Sequence, residues 1–136
     1  MIIGLYGDIK RVYLNKIIIK VNNIFYEVFC SKRVKSIIDD YGRDKKTIII
    51  YHYIKEDKQV LYGFGSYEER DMFISLLKID KIGPSIAHKI LVMFDVTELK
   101  DIILELGYNT LSLVNGVSRV KAEAIIDKLF KENKCN

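Results

Sequence analysis

Apolar residues alternate or cluster in short runs through the first 63 positions, then recur at helical spacing to the end of the chain. Ile2 to Val12 is apolar and β-prone, with Gly4 and Gly7 allowing bends or bulges. Leu14 to Val21 predicts a second strand, and Asn22-Asn23 a tight turn into a third, Ile24 to Cys30. In Ser31 to Tyr41, Val34, Ile37 and Ile38 fall at helical spacing and Gly42 lies just past the end, so a short helix is expected. Thr47 to Ile54 and Gln59 to Phe64 complete five strands. Five short strands with one helix between the third and fourth predict a small closed barrel of the OB type. A parallel sheet would need helices between most of the strands.

After Gly63-Phe64-Gly65 the period changes, which puts a hinge near residues 63–66. Ser66 to Glu69 reads as a capping box, with Ser66 as N-cap and Glu69 three residues on. Met72, Phe73, Leu76 and Leu77 follow at helical spacing. Asp95-Val96-Thr97-Glu98 opens another helix, with Leu99, Ile102, Ile103 and Leu106 on one face and Gly107 as its expected C-cap. Asn109 is expected to cap a short helix over Thr110 to Val114, and a last helix should run from Arg119 to Lys131. The expected class is therefore α+β with two domains: a five-stranded barrel over 1–63 and an all-α domain over 64–136.

Composition narrows the function classes. The chain has 136 residues, is 49% hydrophobic and contains one Pro, which describes a globular protein. No apolar run approaches the roughly 18–20 residues that span a bilayer, so no membrane is expected as a partner. The N-terminus lacks a basic leader and a cleavage site, so a secretory signal is not expected. Cys30 and Cys135 suit neither a disulfide framework nor a metal site, which favours a reducing cytoplasm. The net charge is +4, with twelve Lys/Arg against seven Asp/Glu in residues 1–63 and ten against eleven in 64–136. A basic first half permits a polyanionic partner. Abundant Ile, Lys, Asn and Tyr also mark an AT-rich genome, so lysine content alone decides nothing.

An internal repeat carries more. Ile79 to Leu91 ("IDKIGPSIAHKIL") and Val114 to Ile126 ("VNGVSRVKAEAII") share an order of apolar positions at a separation of 35 residues. Ile82 matches Val117, Ala87 matches Ala122, and Ile90-Leu91 match Ile125-Ile126. This is the helix-hairpin-helix pattern, apolar–x–Gly–apolar–Gly–x–x–x–Ala. Glycines let the turn approach another backbone closely. The first N–H groups of the following helix have no internal partner and, with the positive helix end, suit a phosphate oxygen. Such a contact positions nucleic acid without reading its sequence. Each copy lacks one glycine: Lys81 stands at the first position of one hairpin, Ser118 at the second position of the other. A left-handed backbone at either would cost on the order of 1 kcal/mol. Lys81 offers a charge to phosphate in return, and Ser118 can cap the last helix.

With these motifs in order, the whole chain resembles the RuvA family, the DNA-binding subunits of the Holliday-junction branch-migration machine. The resemblance rests on "MIIGLYGDI", on "YEV" at Tyr26 to Val28, on "KEDKQVLYGF" at Lys55 to Phe64, and on "ERDMFISLLKIDKIGP" running into the second hairpin. It implies a non-catalytic protein that acts as a homotetramer around a four-way junction, with the RuvB motor and RuvC as partners. It further implies phosphate contacts from Lys81, Ile82, Gly83 and Ser85 in one hairpin. The second hairpin would contribute Gly116, Val117, Ser118, Arg119 and Lys121, with Lys55 adding a further contact. Glu56 and Asp57 match the family's acidic pins, whose carboxylates would repel phosphates at the crossover. Two departures stand out: Ser85 where the family often has Lys after Gly-Pro, and Arg119-Val120-Lys121 where it often has paired Lys. Fewer cations would weaken binding and flatten its salt dependence. Full-length relatives also carry a linker and a third helical domain that engages RuvB. The expectation is a chain without that domain, since "KLFKENKCN" follows directly on the second hairpin helix; it is either a piece of a longer protein or a form lacking the module.

The remaining candidates read as structural. His52 in an apolar strand and His88 on a hairpin helix have no spaced partners for metal binding or catalysis. The tyrosines are mostly packing, with Tyr62 and Phe64 expected at the barrel–helix junction; base stacking by a barrel aromatic is the alternative. The clusters Lys32-Arg33-Lys35 and Arg43-Lys45-Lys46 serve either solubility or a DNA-facing surface. No phosphate-binding P-loop occurs, so no cofactor and no ATP hydrolysis are expected. The rival function is a DNA glycosylase or lyase that grips duplex through a hairpin, which would need a catalytic Asp or Lys in a pocket beyond it.

Overall fold

The structure is a computed structural model that describes the backbone of residues 1–135 and the side chains of residues 1–132. The Cys135 side chain and Asn136 lie outside the described residues. Five strands form a closed barrel in the order β1-β2-β3-β5-β4: β1 (Gly4–Val12), β2 (Lys16–Val21), β3 (Ile24–Cys30), β4 (Lys46–Lys55) and β5 (Lys58–Phe64). The inward positions of each strand supply the core: Leu5 and Ile9, Ile17 and Ile19, Val28 and Cys30, Ile48 and Ile50. Alternation puts these residues on one face, and closure lets that face be fully buried. The helix α1 (Lys32–Tyr41) lies between β3 and β4 in the chain and adds Val34 and Ile38 to the same core.

The β3–β5 contact is parallel and short, limited to Phe29↔Tyr62 and Cys30↔Gly63. Toward the other end of the two strands this ladder has no further paired positions. The glycines behave differently from the bends expected of them. The bulge in β1 lies between Ile9 and Arg11. Gly7 sits buried where β1 passes the β2 backbone, and a Cβ there would stand 2.0 Å from the Lys20 carbonyl oxygen.

Six helices are described: α1, then α2 (Tyr67–Leu77), α3 (Pro84–Met93), α4 (Val96–Leu104), α5 (Tyr108–Leu111) and α6 (Arg119–Cys135). The chain divides into two compact units at Arg70/Asp71. The first turn of α2 goes with the barrel for a visible reason. Ser66 Oγ accepts the Glu69 N–H at 3.2 Å, which is the Ser66 half of the expected capping box. The buried Glu69 carboxylate accepts from the Gly65 N–H at 3.0 Å and from the Ser31 hydroxyl at 2.5 Å. Ser31 is itself the N-cap of α1. Arg70 Nε donates to the Ile50 carbonyl at 3.0 Å. One carboxylate thus ties the end of β5 to the start of α1.

Two helix boundaries in the second unit differ from expectation. α4 ends in a Schellman arrangement, with Gly107 N–H to Ile102 O at 2.8 Å and Leu106 N–H to Ile103 O at 3.2 Å. The left-handed residue is Leu106, φ +53, rather than Gly107. Gly107 is needed for a different reason, since a Cβ would lie 3.1 Å from the Ile102 side chain. It also stands at the N-cap position of α5, without a side-chain cap, so Asn109 lies inside that helix rather than capping it.

Cys30 is completely buried, and desolvation pushes its thiol up to about 11. The neutral thiol is favoured in the folded state, so its contribution is complete below the unfolded value near 9 and is lost as pH rises toward 11. Wild type should therefore lose about 3 kcal/mol more stability than Cys30→Ala across that window, measured by urea unfolding at a series of pH values. Equal losses would show that the thiol is solvated.

Candidate nucleic-acid interface

The two hairpins are the same object built twice. In the first, Ile79 N–H donates to Leu76 O and Ile82 N–H to Ile79 O, each at 3.1 Å. In the second, Val114 N–H donates to Leu111 O at 3.2 Å and Val117 N–H to Val114 O at 3.0 Å. The following helices start alike, with Ala87 N–H on Gly83 O at 3.0 Å and Ala122 N–H on Ser118 O at 2.9 Å. Ile79, Ile82, Ala87, Ile90 and Leu91 are buried, and so are Val114, Val117, Ala122, Ile125 and Ile126. Burial of these repeated apolar positions holds each turn in place, so its polar face can stay open.

Each turn surrounds one shallow concavity, lined by residues 77–83 in one hairpin and 112–118 in the other. These are the same seven positions shifted by 35 residues. Among the described residues, the N–H groups of Gly83, Ser85 and Ile86 have no hydrogen-bond partner at the start of α3, where Pro84 has none to offer. At the start of α6 the free groups are those of Ser118, Arg119 and Val120, because Ser118 Oγ accepts the Lys121 N–H at 3.2 Å. Each concavity therefore adjoins three unpaired donors at a positive helix end.

The missing glycines prove unequal. Lys81 has φ +67 and its counterpart Gly116 has φ +93, so this first position is left-handed in both hairpins. Gly83 has φ −91, and a Cβ on it would meet nothing within 4 Å. Ser118 is thus free of strain and adds a cap, whereas Lys81 carries backbone strain. Lys81→Gly should raise stability by about 1 kcal/mol, read from the urea midpoint. An unchanged or lower midpoint would mean the lysine side chain contributes more than its backbone costs.

Cations gather at both turns. Lys81 is exposed, and Lys128 from α6 donates to the Lys78 carbonyl at 3.2 Å. Lys121 donates to the Gly116 carbonyl at 3.3 Å. Arg119 is held in place: NH1 donates to Asn109 Oδ1 at 2.9 Å, Nε donates to Glu123 Oε1 at 3.0 Å, and the guanidinium lies 4.8 Å from the Tyr108 ring centroid. Sequence reasoning missed Lys128 and the Asn109–Tyr108 bracket. The Arg119–Glu123 pair went unread as well, although its spacing of four on one helix is a signal for it.

In the other unit, Lys55 pairs with Lys58 at the end of the β4–β5 ladder, and Glu56-Asp57 form the loop between them. Glu56 has φ +54, and residues 54–59 are all exposed. His52 is bonded structurally: Nδ1 accepts the Ile2 N–H at 3.0 Å, which leaves Nε2–H to donate to Gln59 Oε1 at 2.9 Å. His88 is buried on α3.

Among the described residues, no helix is long and apolar enough to cross a membrane. Residues 1–63 match the family model for the RuvA N terminal domain. The chain is 35% identical over 133 residues to a Holliday junction branch migration complex subunit RuvA from Alkaliphilus oremlandii, covering 95% of this chain and 68% of that protein. The RuvA of Helicobacter pylori is 32% identical over 130 residues, 96% of this chain and 70% of the relative. The RuvA of Fusobacterium nucleatum is 34% identical over 122 residues, 90% and 62% respectively. The chain spans between about half and seven tenths of the length of the curated relatives it matches. A barrel matching the family's N-terminal domain, doubled hairpins behind it and identity running through both place this chain in the RuvA family.

Proposed function

We propose that this chain is a structure-selective DNA-binding subunit that holds a four-way junction open for branch migration. The observation that carries this reading is the identical concavity at residues 77–83 and 112–118, each beside three unpaired N–H groups and a lysine. Two equivalent grips in one unit suit the two backbones of a duplex arm. Family membership favours this over the base-excision alternative. Four copies around a fourfold axis would supply one pair of grips per arm and bring four copies of Glu56-Asp57 to the centre. There the carboxylates repel phosphates and keep the strands apart at the crossover. The motor RuvB, RuvC and a cytoplasmic location belong to the same reading. The chain itself contributes binding, and catalysis lies with its partners.

A gel shift comparing a four-way junction with linear duplex of equal length tests the reading, with at least tenfold tighter binding to the junction expected. Equal affinity would sink it. The grips act through charge, so the affinity should fall with salt, though less steeply than it would with paired lysines in both hairpins.

A further inference from the structure

One cavity plays no part in the grips. It opens along the β3–β5 seam of the barrel, has a volume of about 300 Å³, and is lined by Ile2, Tyr26, Glu27, Phe29, His52, Gln59, Val60 and Leu61. It lies where the parallel pairing of β3 with β5 has stopped, since only Phe29↔Tyr62 and Cys30↔Gly63 are paired in that ladder. It also lies at the foot of the acidic pin. Gln59 is two residues past Asp57, about 7 Å along an extended strand. The exposed Ile54 pairs directly with Gln59, so apolar surface lies between the acidic tip and the pocket.

We infer that this pocket receives one unpaired base from the strands parted at the pin. The inference rests on the junction-binding reading above and names where a separated base goes. Size is the first argument, since the volume is at the lower limit for ligand sites and suits a single base rather than a larger ligand. The lining is the second. Phe29 and Tyr26 offer aromatic surface, and Ile2, Val60 and Leu61 offer apolar surface, which suits the face of a base. The polar edge is the third. The Ile2 N–H on His52 Nδ1 makes Nε2–H the donor, and this fixes Gln59 Oε1 as the acceptor. The Gln59 NH2 group is thereby left to donate, with no partner among the described residues, and a base edge carries carbonyl and ring-nitrogen acceptors to match it. Glu27, the acidic residue of the lining, is paired with Lys16 Nζ at 3.1 Å, which offsets its charge beside the site. A base leaving its stack costs a few kcal/mol, and a half-open aromatic site offsets part of that cost.

The test places 5-iododeoxyuridine at the crossover of a synthetic junction and irradiates the complex with the full chain. Wild type should crosslink within peptides containing Tyr26, Phe29 or His52. Filling the pocket with Val60→Phe should lower that yield at least fivefold while gel-shift affinity stays within about threefold, because the hairpins are untouched. Gln59→Met, a change at an exposed position that keeps the side-chain length but removes the NH2 donor, should lower the yield at least threefold and guards against a folding defect in the first variant. Junction binding with crosslinks confined to other peptides, or yields unchanged in both variants, overturns the pocket alone. Failure of wild type to bind the junction overturns the junction reading and the pocket with it.

Discussion

Gly83→Asp should weaken junction binding by about a hundredfold while leaving the folded protein as stable as its parent or slightly more so. The two effects have opposite signs because they come from one feature. Gly83 is the N-cap of α3, has ordinary extended dihedrals, and makes no side-chain cap bond. A Cβ there enters open space. Asp is a favoured N-cap, and its carboxylate complements the helix dipole, so the helix gains a few tenths of a kcal/mol or more. The same carboxylate occupies the N–H groups of Ser85 and Ile86 and repels phosphate. Losing charge-assisted bonds worth about 1.5–3 kcal/mol corresponds to roughly a hundredfold in affinity. Gly83→Ser is the control, since Ser118 occupies the equivalent position of the second hairpin; it should stay within a few-fold of wild type. Fluorescence anisotropy on a labelled junction and urea unfolding give the two readouts. Equal losses for Asp and Ser would mean that bulk rather than charge closes the grip.

Gly7→Ala should be the most damaging single methyl in the barrel. The added carbon would lie 2.0 Å from the Lys20 carbonyl oxygen and 2.9 Å from its carbon, both backbone atoms that cannot rotate away. β1 or β2 must shift, and the β1–β2 ladder around Asp8↔Lys20 and Ile9↔Ile19 shifts with it. Overpacking of this kind costs about 3 kcal/mol, at the upper end of its usual range. Gly4→Ala on the same strand meets only the Ile48 carbonyl oxygen at 3.8 Å and should change stability by less than about 0.5 kcal/mol. Urea denaturation of the two variants decides the matter; similar midpoints would show that the strands part easily at Gly7.

Much of the architecture was legible because local chemistry and global fold agree. Alternation in "KIIIKV" and helical spacing in Met72 to Leu77 each name one element. The 35-residue repeat was legible as a pair of hairpins, since burial repeats with it position by position. Asn109 misled, because Asn favours helix caps only where its oxygen has no better donor. Here Arg119, ten residues on, supplies one at 2.9 Å. Gly107 misled for a related reason: glycine has two uses, left-handed φ and close approach, and only packing against Ile102 tells which applies.

By itself the sequence determined the barrel, the helical unit and the two hairpin turns, because each depends on periodicity and on residues close together in the chain. Tertiary structure alone decided that Lys81 is strained while Ser118 is not, since φ is set by how each turn docks on its buried Ile79 or Val114. It alone brought Lys128 to the first turn, across 50 residues of chain. It alone made the pocket beside the β4–β5 loop, because β3 and β5 pair over only two residue pairs there. Strand pattern specifies which face of a residue is buried; the gap between strands is a property of barrel closure.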